Sequence, residues 1–189
     1  MDFFDVVAAR HSFRDFADRS VEREVLERAI AAAVAAPSAM NSQPWRFHVC
    51  TGATRQRVGE IVAQATSYLA EYMDVLGPDR YEDAVRWYSS LGDAPVLVVV
   101  SAPVPNVPAE ALNIYLSVGA AIENMLLALT AQGLGTCNIT FATYVKDELG
   151  AAVGIPEGRE VVAIVAVGYP SDVPPSAPVH ETDVTDWLG

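Results

Sequence analysis

The chain has 189 residues, of which 51% are hydrophobic and 19% charged, a balance typical of a globular protein rather than a disordered one. This length can bury a substantial core and predicts a single domain over 1–189. The formal net charge of −12 argues against nucleic acid or an anionic membrane as a partner, because both bind basic surfaces.

The cysteines and histidines exclude several kinds of site. Cys50 and Cys137 fit neither a disulfide framework nor a zinc-binding spacing, and Cys137 is expected to be a buried structural residue rather than a reactive thiol. None of His11, His48 and His180 has a metal-type partner one helical turn away, so we expect no metal. The N-terminus lacks a secretory signal, and reduced cysteines suit the cytoplasm, where we expect the protein to reside.

The first motif follows a short helix predicted over 2–9 and reads Arg10-His11-Ser12-Phe13-Arg14. In an extended conformation Arg10, Ser12 and Arg14 point to one side. Two guanidiniums flanking a hydroxyl can bind phosphate or carboxylate oxygens, because arginine presents a planar fork of donors. The alternative is a solvated pair of arginines that offsets surface acids, and both readings stay open on this pentapeptide alone.

A helix is predicted from Val21 to Ala35, with Ser20 as its N-cap. The ten residues that follow, Ala36 to Trp45, read Ala-Pro-Ser-Ala-Met-Asn-Ser-Gln-Pro-Trp. Prolines near both ends restrict the backbone, and the polar side chains between them can both donate and accept hydrogen bonds. The segment is therefore either an ordinary turn or a binding loop for a flat polar ligand.

The region after this loop combines a short strand with aromatic-rich helices. Trp45 to Cys50 alternates apolar and polar residues, which predicts a half-buried strand with His48 facing solvent. A helix is predicted over 54–76, and Asp79 is expected to cap the helix after it. The aromatic stretch Tyr68 to Tyr88 either packs on the core or covers a pocket for a planar substrate.

Continuous apolar runs at 95–101 and 161–167 predict strands buried on both faces. Residues 109–132 predict one long apolar helix, buried in the core or at a subunit interface. A membrane span is the alternative by length, but Glu110 and Glu123 interrupt the run. Helices outnumber the strands and do not alternate regularly with them, which predicts an α+β fold.

The glycine-rich turn Gly133-Leu134-Gly135-Thr136 ends the long helix. It is a poor dinucleotide fingerprint, because it follows a helix and lacks the third glycine. A short strand over 137–140 and a short helix over 143–153 are predicted next. The sequence shows neither the nucleophile motif of hydrolases nor a P-loop. If the protein is an enzyme, a bound cofactor would explain why no catalytic side-chain constellation is evident.

Taken in order, the motifs resemble the nitroreductase family of FMN-dependent oxidoreductases over about residues 5 to 170. The resemblance implies an α+β fold with a small mixed sheet surrounded by helices, and an intertwined homodimer with two FMN sites at the subunit interface. The motifs that carry it are Arg10-His11-Ser12-x-Arg14, Pro37-Ser38-x-x-Asn41-x-Gln43-Pro44-Trp45, Asp93-Ala94-Pro95, Gly133-Leu134-Gly135-Thr136, Leu149-Gly150 with Ile155-Pro156-Glu157-Gly158, and Gly168-Tyr169-Pro170.

The resemblance also implies which residues contact the cofactor, and it assigns no catalytic side chain. Three segments would share the contacts. One segment would hold the ribityl phosphate and the pyrimidine edge of the flavin, with Arg14 near the N1–C2 carbonyl: Arg10, His11, Ser12 and Arg14. A second would pack on the isoalloxazine from the other subunit: Pro37, Ser38, Ala39, Asn41 and Gln43. A third would approach N5: Leu134, Gly135 and Thr136.

The implied reaction is a ping-pong hydride transfer, in which NAD(P)H reduces FMN and leaves before a nitroaromatic, a quinone or another small planar acceptor binds. Related folds dehalogenate substrates or fragment reduced FMN with oxygen. A flavin-binding or partner-binding protein with little turnover is a further alternative.

The sequence departs from many family members in two places. After Arg159 the only residue able to carry a positive charge is His180, whereas a C-terminal Arg or Lys commonly completes the phosphate site. Ala39 stands where a hydroxyl residue is common. We therefore expect weak retention of FMN. The tail over 170–189 has too little apolar content for a core of its own and is expected to pack on the partner subunit.

Overall fold

The structure is a computed structural model that describes residues 2–172 and 180–188. In this part of the chain, seven α-helices surround a four-stranded sheet, which confirms the expected α+β fold. The helices are Phe3–Ala9 (α1), Arg23–Val34 (α2), Gly52–Gln64 (α3), Met73–Leu76 (α4), Pro78–Ser90 (α5), Pro108–Ala131 (α6) and Lys146–Val153 (α7). The strands are Arg46–Cys50 (β1), Val96–Pro103 (β2), Gly135–Ile139 (β3) and Arg159–Gly168 (β4).

The strands lie in the order β1-β2-β4-β3, and all three pairings are antiparallel. The expectation of a mixed sheet is therefore wrong for these strands. An isolated bridge between Ser12 and Thr136 is the only parallel pairing in the described part of the chain. An apolar run shows that a strand is buried but says nothing about its direction, so the sequence pattern could not supply this detail.

The sheet separates two hydrophobic cores, one shared with α2 and α6 and the other with α3 and α7. Val98 and Val100 of β2 belong to the first core, whereas Leu97 and Val99 belong to the second. This alternation follows from the two-residue period of a strand. The prediction that this strand is buried on both faces is confirmed, and β4 is buried in the same way.

α6 is the long apolar helix predicted at 109–132, and it lies on the first core. Its length and composition alone would allow a membrane span, but half of its most apolar stretch is buried inside the protein. Leu112 and Leu116, near its N-terminus, remain 60% and 65% exposed. An apolar helix that is only partly covered is typical of a subunit interface.

The predicted helix over 54–76 is broken in the structure. α3 ends early, and the chain continues as a 3₁₀ helix over Ala65–Tyr72 before the single turn of α4. The hydroxyl groups of Thr66 and Ser67 donate to backbone carbonyls three residues earlier, at 2.6 and 3.0 Å, and such bonds compete with α-helical pairing. α5 begins one residue before Asp79, which therefore lies in its first turn and does not cap it.

α2 begins two residues later than predicted, and Ser20 does not cap it. The N-cap is Glu22, whose carboxylate accepts hydrogen bonds from Tyr169 at 2.7 Å and from Arg19 at 3.2 Å. The local contact with Arg19 and the long-range contact with Tyr169 together fix where the chain enters the helix. α7 also begins later than predicted, after a short 3₁₀ turn.

His48 is half-buried, so its predicted position on the surface is wrong. Its Nε2 lies 3.1 Å from the hydroxyl oxygen of Ser101 on β2. Burial is the main cause that lowers the pKa of His48, and the charges of two nearby arginines add to it. Further along β1, Cys50 is buried and Val49 is 40% exposed, the reverse of the predicted alternation.

Candidate functional site

Residues 10–14 form an extended strip along the outer edge of β3. Ser12 forms the parallel bridge with Thr136, and the amide of Phe13 donates to the Thr136 carbonyl at 2.9 Å. β3 is an edge strand, so its outer side is available for this contact. Two motifs that are far apart in the sequence thus meet in space: the N-terminal arginines and the glycine-rich turn.

Close backbone packing holds the strip in place. A methyl group added at Gly135 would lie 2.7 Å from the ring of Phe13, so only glycine allows this approach without movement. Gly92 packs in the same way against the backbone carbonyl of Arg14, which also accepts a 2.9 Å hydrogen bond from the indole of Trp87. The backbone of the strip is therefore fixed, while the Ser12 and Arg14 side chains remain exposed.

Arg10 is already paired in this chain. Its Nε lies 3.2 Å from a carboxylate oxygen of Glu123 on α6, and its side chain is 28% exposed. An anion that binds Arg10 must therefore approach this carboxylate or displace it. Neither the sequence motif nor the helical pattern of α6 indicated this pair.

His11 contributes a buried polar atom that lacks a partner. Its Nδ1 donates to the backbone carbonyl of Ala9 at 2.8 Å, and its ring packs on Phe13 with the ring centres 4.1 Å apart. The Nε2 atom is buried and has no hydrogen-bond partner among the described residues. Buried polar atoms are normally paired, so this nitrogen is suited to a ligand or to a second chain.

The loop between the two prolines is strained. Met40, Asn41 and Gln43 have φ angles of +52°, +53° and +45°, in the left-handed region that non-glycine residues rarely adopt. The Ser38 hydroxyl accepts a 3.0 Å hydrogen bond from the Gln43 amide, and α6 supports the loop through Ser117, which accepts from the Ala39 amide at 3.2 Å. Each such conformation costs on the order of 1–3 kcal/mol and is typical of functional sites, which favours a binding loop over an ordinary turn.

Sequence reasoning missed Arg159 as a support for this loop. Its guanidinium donates to the backbone carbonyls of Pro44 at 2.7 Å and Ser101 at 2.8 Å. The end of the loop is thereby tied to β2 and β4. The only available signal was a basic residue directly before an apolar run, which is common at strand ends.

The predicted flavin contacts form two separate groups within one chain. The strip and the glycine-rich turn lie together at β3, whereas the loop lies on the N-terminal half of α6. No hydrogen bond or ion pair within 2–172 and 180–188 joins the two groups. The first group comprises Arg10, His11, Ser12, Arg14, Leu134, Gly135 and Thr136, and the second comprises Pro37, Ser38, Ala39, Asn41 and Gln43.

A cavity of about 940 Å³ opens beside Arg14, between α5 and the end of β3. Its wall is aromatic, and neighbouring rings contact one another: the ring centres of Tyr88 and Phe141 are 4.8 Å apart, and those of Phe141 and Tyr144 are 5.1 Å apart. The aromatic stretch Tyr68 to Tyr88 thus helps to cover a pocket, which is one of the two roles that the sequence left open.

A tyrosine and a cysteine that line this cavity have raised pKa values. The hydroxyls of Tyr72 and Tyr144 are 2.9 Å apart, and this hydrogen bond, burial and the charge of Glu71 raise the pKa of Tyr144 to about 12. Cys137 is 4% exposed, and burial raises the pKa of its thiol. It is therefore the buried cysteine that the sequence predicted, and no ready nucleophile. The described residues contain no cluster of side chains suited to a metal.

The C-terminal tail is only partly described. His180 is exposed and forms no hydrogen bond or ion pair with the described residues. Residues 180–188 adopt no helix or strand, with Trp187 and Leu188 more than 90% exposed. The remainder of the predicted tail, 173–179 and Gly189, lies outside the described residues.

Several known proteins are similar to this chain. A protein of Archaeoglobus fulgidus named as an NADH dehydrogenase/NAD(P)H nitroreductase is 29% identical over 172 residues, covering 88% of this chain and 84% of that protein. The nitrobenzene nitroreductase of Ectopseudomonas oleovorans is 25% identical, over 87% of this chain and 85% of that protein. The crystal structure of oxidised iodotyrosine deiodinase bound to FMN and 3-iodo-L-tyrosine is similar with a TM-score of 0.77 at 28% identity, over 97% of this chain and 98% of that chain.

The family of this chain follows from how much of it one family model matches. The model of the nitroreductase family matches residues 7–169, which include the arginine strip, the strained loop and the glycine-rich turn. The match therefore covers most of the chain and every segment that forms the candidate site. This protein belongs to the nitroreductase family.

Proposed function

We propose that this protein is a cytoplasmic FMN-dependent oxidoreductase that uses NAD(P)H to reduce a nitroaromatic, a quinone or a similar small planar acceptor. The names of the two relatives support the reaction, and the deiodinase structure, which holds FMN, supports the cofactor. The single observation that carries the proposal is the arginine strip 10–14 fixed along β3 beside an aromatic cavity.

The residues of the strip fit FMN. Arg10, Ser12 and Arg14 supply two guanidiniums and a hydroxyl, which is a donor set suited to a phosphate and to the carbonyl oxygens of a flavin. His11 offers its unpaired Nε2, and Gly135 lets Phe13 pack closely, which holds the strip at the sheet edge. FMN, when bound, supplies the hydride chemistry that the side chains of the site lack.

The side chains of the site then have supporting roles. Arg14, whose guanidinium lies 5.8 Å from the centre of the Trp87 ring, places a positive charge at the cavity and stabilises negative charge on a ligand beside it. The aromatic wall excludes water and offers flat surfaces on which a planar acceptor can stack. Tyr144 keeps its proton and contributes a neutral hydroxyl group.

We further propose a homodimer in which each flavin site takes the strip and the glycine-rich turn from one chain and the loop 37–43 from the other. Two observations support this: the groups do not meet within one chain, and apolar side chains on α1, the loop and α6 are exposed. Such a surface is typical of an interface. These side chains, 60–94% exposed, are Phe3, Phe4, Met40, Leu112 and Leu116.

The C-terminal tail completes this proposal. Val184, Trp187 and Leu188 are 73–96% exposed on a segment without helix or strand, so the tail buries little apolar surface in its own chain. We propose that it packs on the partner subunit. The dimer would then bury the apolar side chains of the tail as well as those of α1 and α6.

An anaerobic titration of the FMN-loaded protein tests the proposed reaction. NADPH or NADH should bleach the visible absorbance of the flavin, and nitrobenzene or a quinone should restore it. Retention of colour with both donors would contradict an NAD(P)H oxidoreductase and would favour a flavin-binding protein. Recovery with 3-iodotyrosine and release of iodide, without recovery by nitroarenes or quinones, would replace the proposed acceptor class with dehalogenation.

A further inference from the structure

We propose that the acceptor cavity selects anionic aromatic compounds, such as aromatic carboxylates, and that Arg80 binds their anionic group. This inference rests on the proposed function, because it concerns the acceptor side of the same site. It is carried by a guanidinium that lines an aromatic cavity and that no carboxylate of the described residues neutralises.

Arg80 is an exposed arginine without a partner among the described residues. It lies in the first turn of α5, lines the 940 Å³ cavity, and forms no hydrogen bond or ion pair with the described residues. The chain has 24 acidic residues against 12 basic ones, so carboxylates to pair with it are plentiful. An arginine left unpaired under these conditions is available to a ligand. Arginines that do pair with a carboxylate are Arg10, Arg19, Arg23 and Arg86.

The other charges around the cavity leave it positive. Asp83 also lines it, but its carboxylate lies 3.1 Å from a guanidinium nitrogen of Arg86, and this exposed pair offsets part of its charge. Arg14 supplies a second guanidinium at the side proposed for the flavin. The lining residues carry two guanidiniums against one paired carboxylate, and Glu71, which accepts from the Tyr144 hydroxyl at 3.4 Å, adds a carboxylate beside the wall. This balance favours an anionic acceptor over a cationic one.

The aromatic wall defines the rest of the ligand. Tyr88, Phe141 and Tyr144 form a chain of touching rings along the cavity, and planar rings pack well on such a surface. Tyr144 stays protonated and adds no negative charge that would repel an anion. The arginine fork matches a carboxylate in geometry as well as in charge, so the ligand class is a planar ring that carries an acid group.

Steady-state kinetics with a pair of matched acceptors test this inference: 4-nitrobenzoate, which carries a carboxylate, and nitrobenzene, which does not. Arg80→Gln should raise the KM for 4-nitrobenzoate by about fivefold, the effect expected from losing a well-aligned but solvent-accessible ion pair. It should leave kcat for 4-nitrobenzoate unchanged, and both kcat and KM for nitrobenzene. Added salt should reduce the preference of the unmodified protein for the anion, because the pair is screened. Arg80→Lys should restore part of the loss.

Two further variants separate the proposal from a general effect of charge. Asp83→Asn should lower the KM for 4-nitrobenzoate, because it removes the one carboxylate among the cavity-lining residues. Arg57→Gln makes the same change in net charge on α3, away from the cavity, and should leave the KM for both acceptors unchanged. An equal effect of Arg80→Gln on both acceptors, or no effect on either, would overturn the assignment.

Binding without turnover distinguishes failure of this inference from failure of the proposed function. Calorimetric titration of the FMN-loaded protein with 4-nitrobenzoate should show affinity that falls by a similar factor in Arg80→Gln. A protein that binds the acid through Arg80 but reduces neither acceptor would refute the oxidoreductase alone. A protein that reduces both acceptors, with binding that does not depend on Arg80, would refute the anion site alone.

Discussion

Arg10 shares its guanidinium with Glu123, and this ion pair should weaken the binding of a flavin phosphate. Glu123→Gln removes a carboxylate 3.2 Å from the arginine. We expect it to tighten FMN binding by about three- to tenfold, because the phosphate no longer faces like charge beside its ligand. Fluorescence titration of FMN against the flavin-free protein measures the change.

The matched control for this variant is Glu27→Gln, which removes a carboxylate from the exposed pair with Arg23. It changes the net charge equally but lies on α2, away from the strip, and should leave the affinity for FMN unchanged. Weaker or unchanged binding in Glu123→Gln would show that the phosphate does not bind at Arg10.

The absence of a side chain at Gly135 allows the strip to lie close to β3. A methyl group there would meet the Phe13 ring at 2.7 Å, so Gly135→Ala must displace this ring and the strip with it. We expect a loss of about 1–3 kcal/mol in the free energy of unfolding together with weaker FMN binding. Chemical denaturation and FMN titration measure the two effects.

Gly59→Ala is a suitable control, because a methyl group at this helical position would lie an ordinary 3.6 Å from the Arg55 guanidinium. It should be neutral or stabilising, as alanine usually is in a helix. If Gly135→Ala bound FMN as well as Gly59→Ala does, close packing of the strip would be irrelevant to the cofactor.

For individual residues, the sequence identified the polar motifs but not the residues they contact. Arg10 and Arg14 were recognisable because their spacing is local. The pair of Arg10 with Glu123 and the contact of Arg159 with Pro44 join residues more than a hundred positions apart, and no local pattern encodes them. The role of Arg80 also became visible only when α5 and β3 were placed around one cavity.

The contact between β1 and β2 should make the stability of the protein depend on pH. Burial holds the pKa of His48 below its ordinary value of 6.5, so at falling pH the unfolded chain takes up a proton before the folded chain does. The contribution of His48 to the free energy of unfolding should therefore be constant above neutral pH and decrease once the pH falls below about 6.5. Thermal unfolding between about pH 7.5 and 5.5 measures this slope.

His48→Gln should flatten the slope, because no proton is then taken up at this position. His180→Gln, which removes an exposed histidine, is the control. A slope that persisted in His48→Gln would assign the effect to another group. Carboxyl groups whose pKa is lowered act at more acid pH, below their ordinary 4.5, and do not interfere: Glu22, Glu110 and Glu160.

The elements that the sequence predicted best are those buried on all sides. The runs at 95–101 and 161–167 are apolar throughout, and both became central strands. The sequence predicted helix boundaries less accurately where tertiary contacts set them. The Tyr169 hydroxyl stabilises Glu22 as the N-cap of α2 in place of Ser20, and the break after α3 depends on hydroxyl groups that the apolar periodicity ignores.

The whole molecule is consistent with a dimer that completes its own sites. A single chain presents the strip and the strained loop on different parts of α6, and it leaves apolar side chains of α1 and α6 exposed. Composition and periodicity predicted the fold class from one chain, but they could not show that the predicted flavin residues fall into two groups. That division depends on the three-dimensional path of α6.

The most direct test of this account is the flavin content of a heterodimer purified through two different affinity tags. One chain carries Arg10→Glu, which damages the strip, and the other carries Ala39→Glu, which damages the loop. If each site takes the strip from one chain and the loop from the other, the heterodimer keeps one intact site and binds about half as much FMN as the unmodified dimer, while both variant homodimers bind little. A heterodimer that binds no more FMN than the variant homodimers would contradict a flavin site built from both chains.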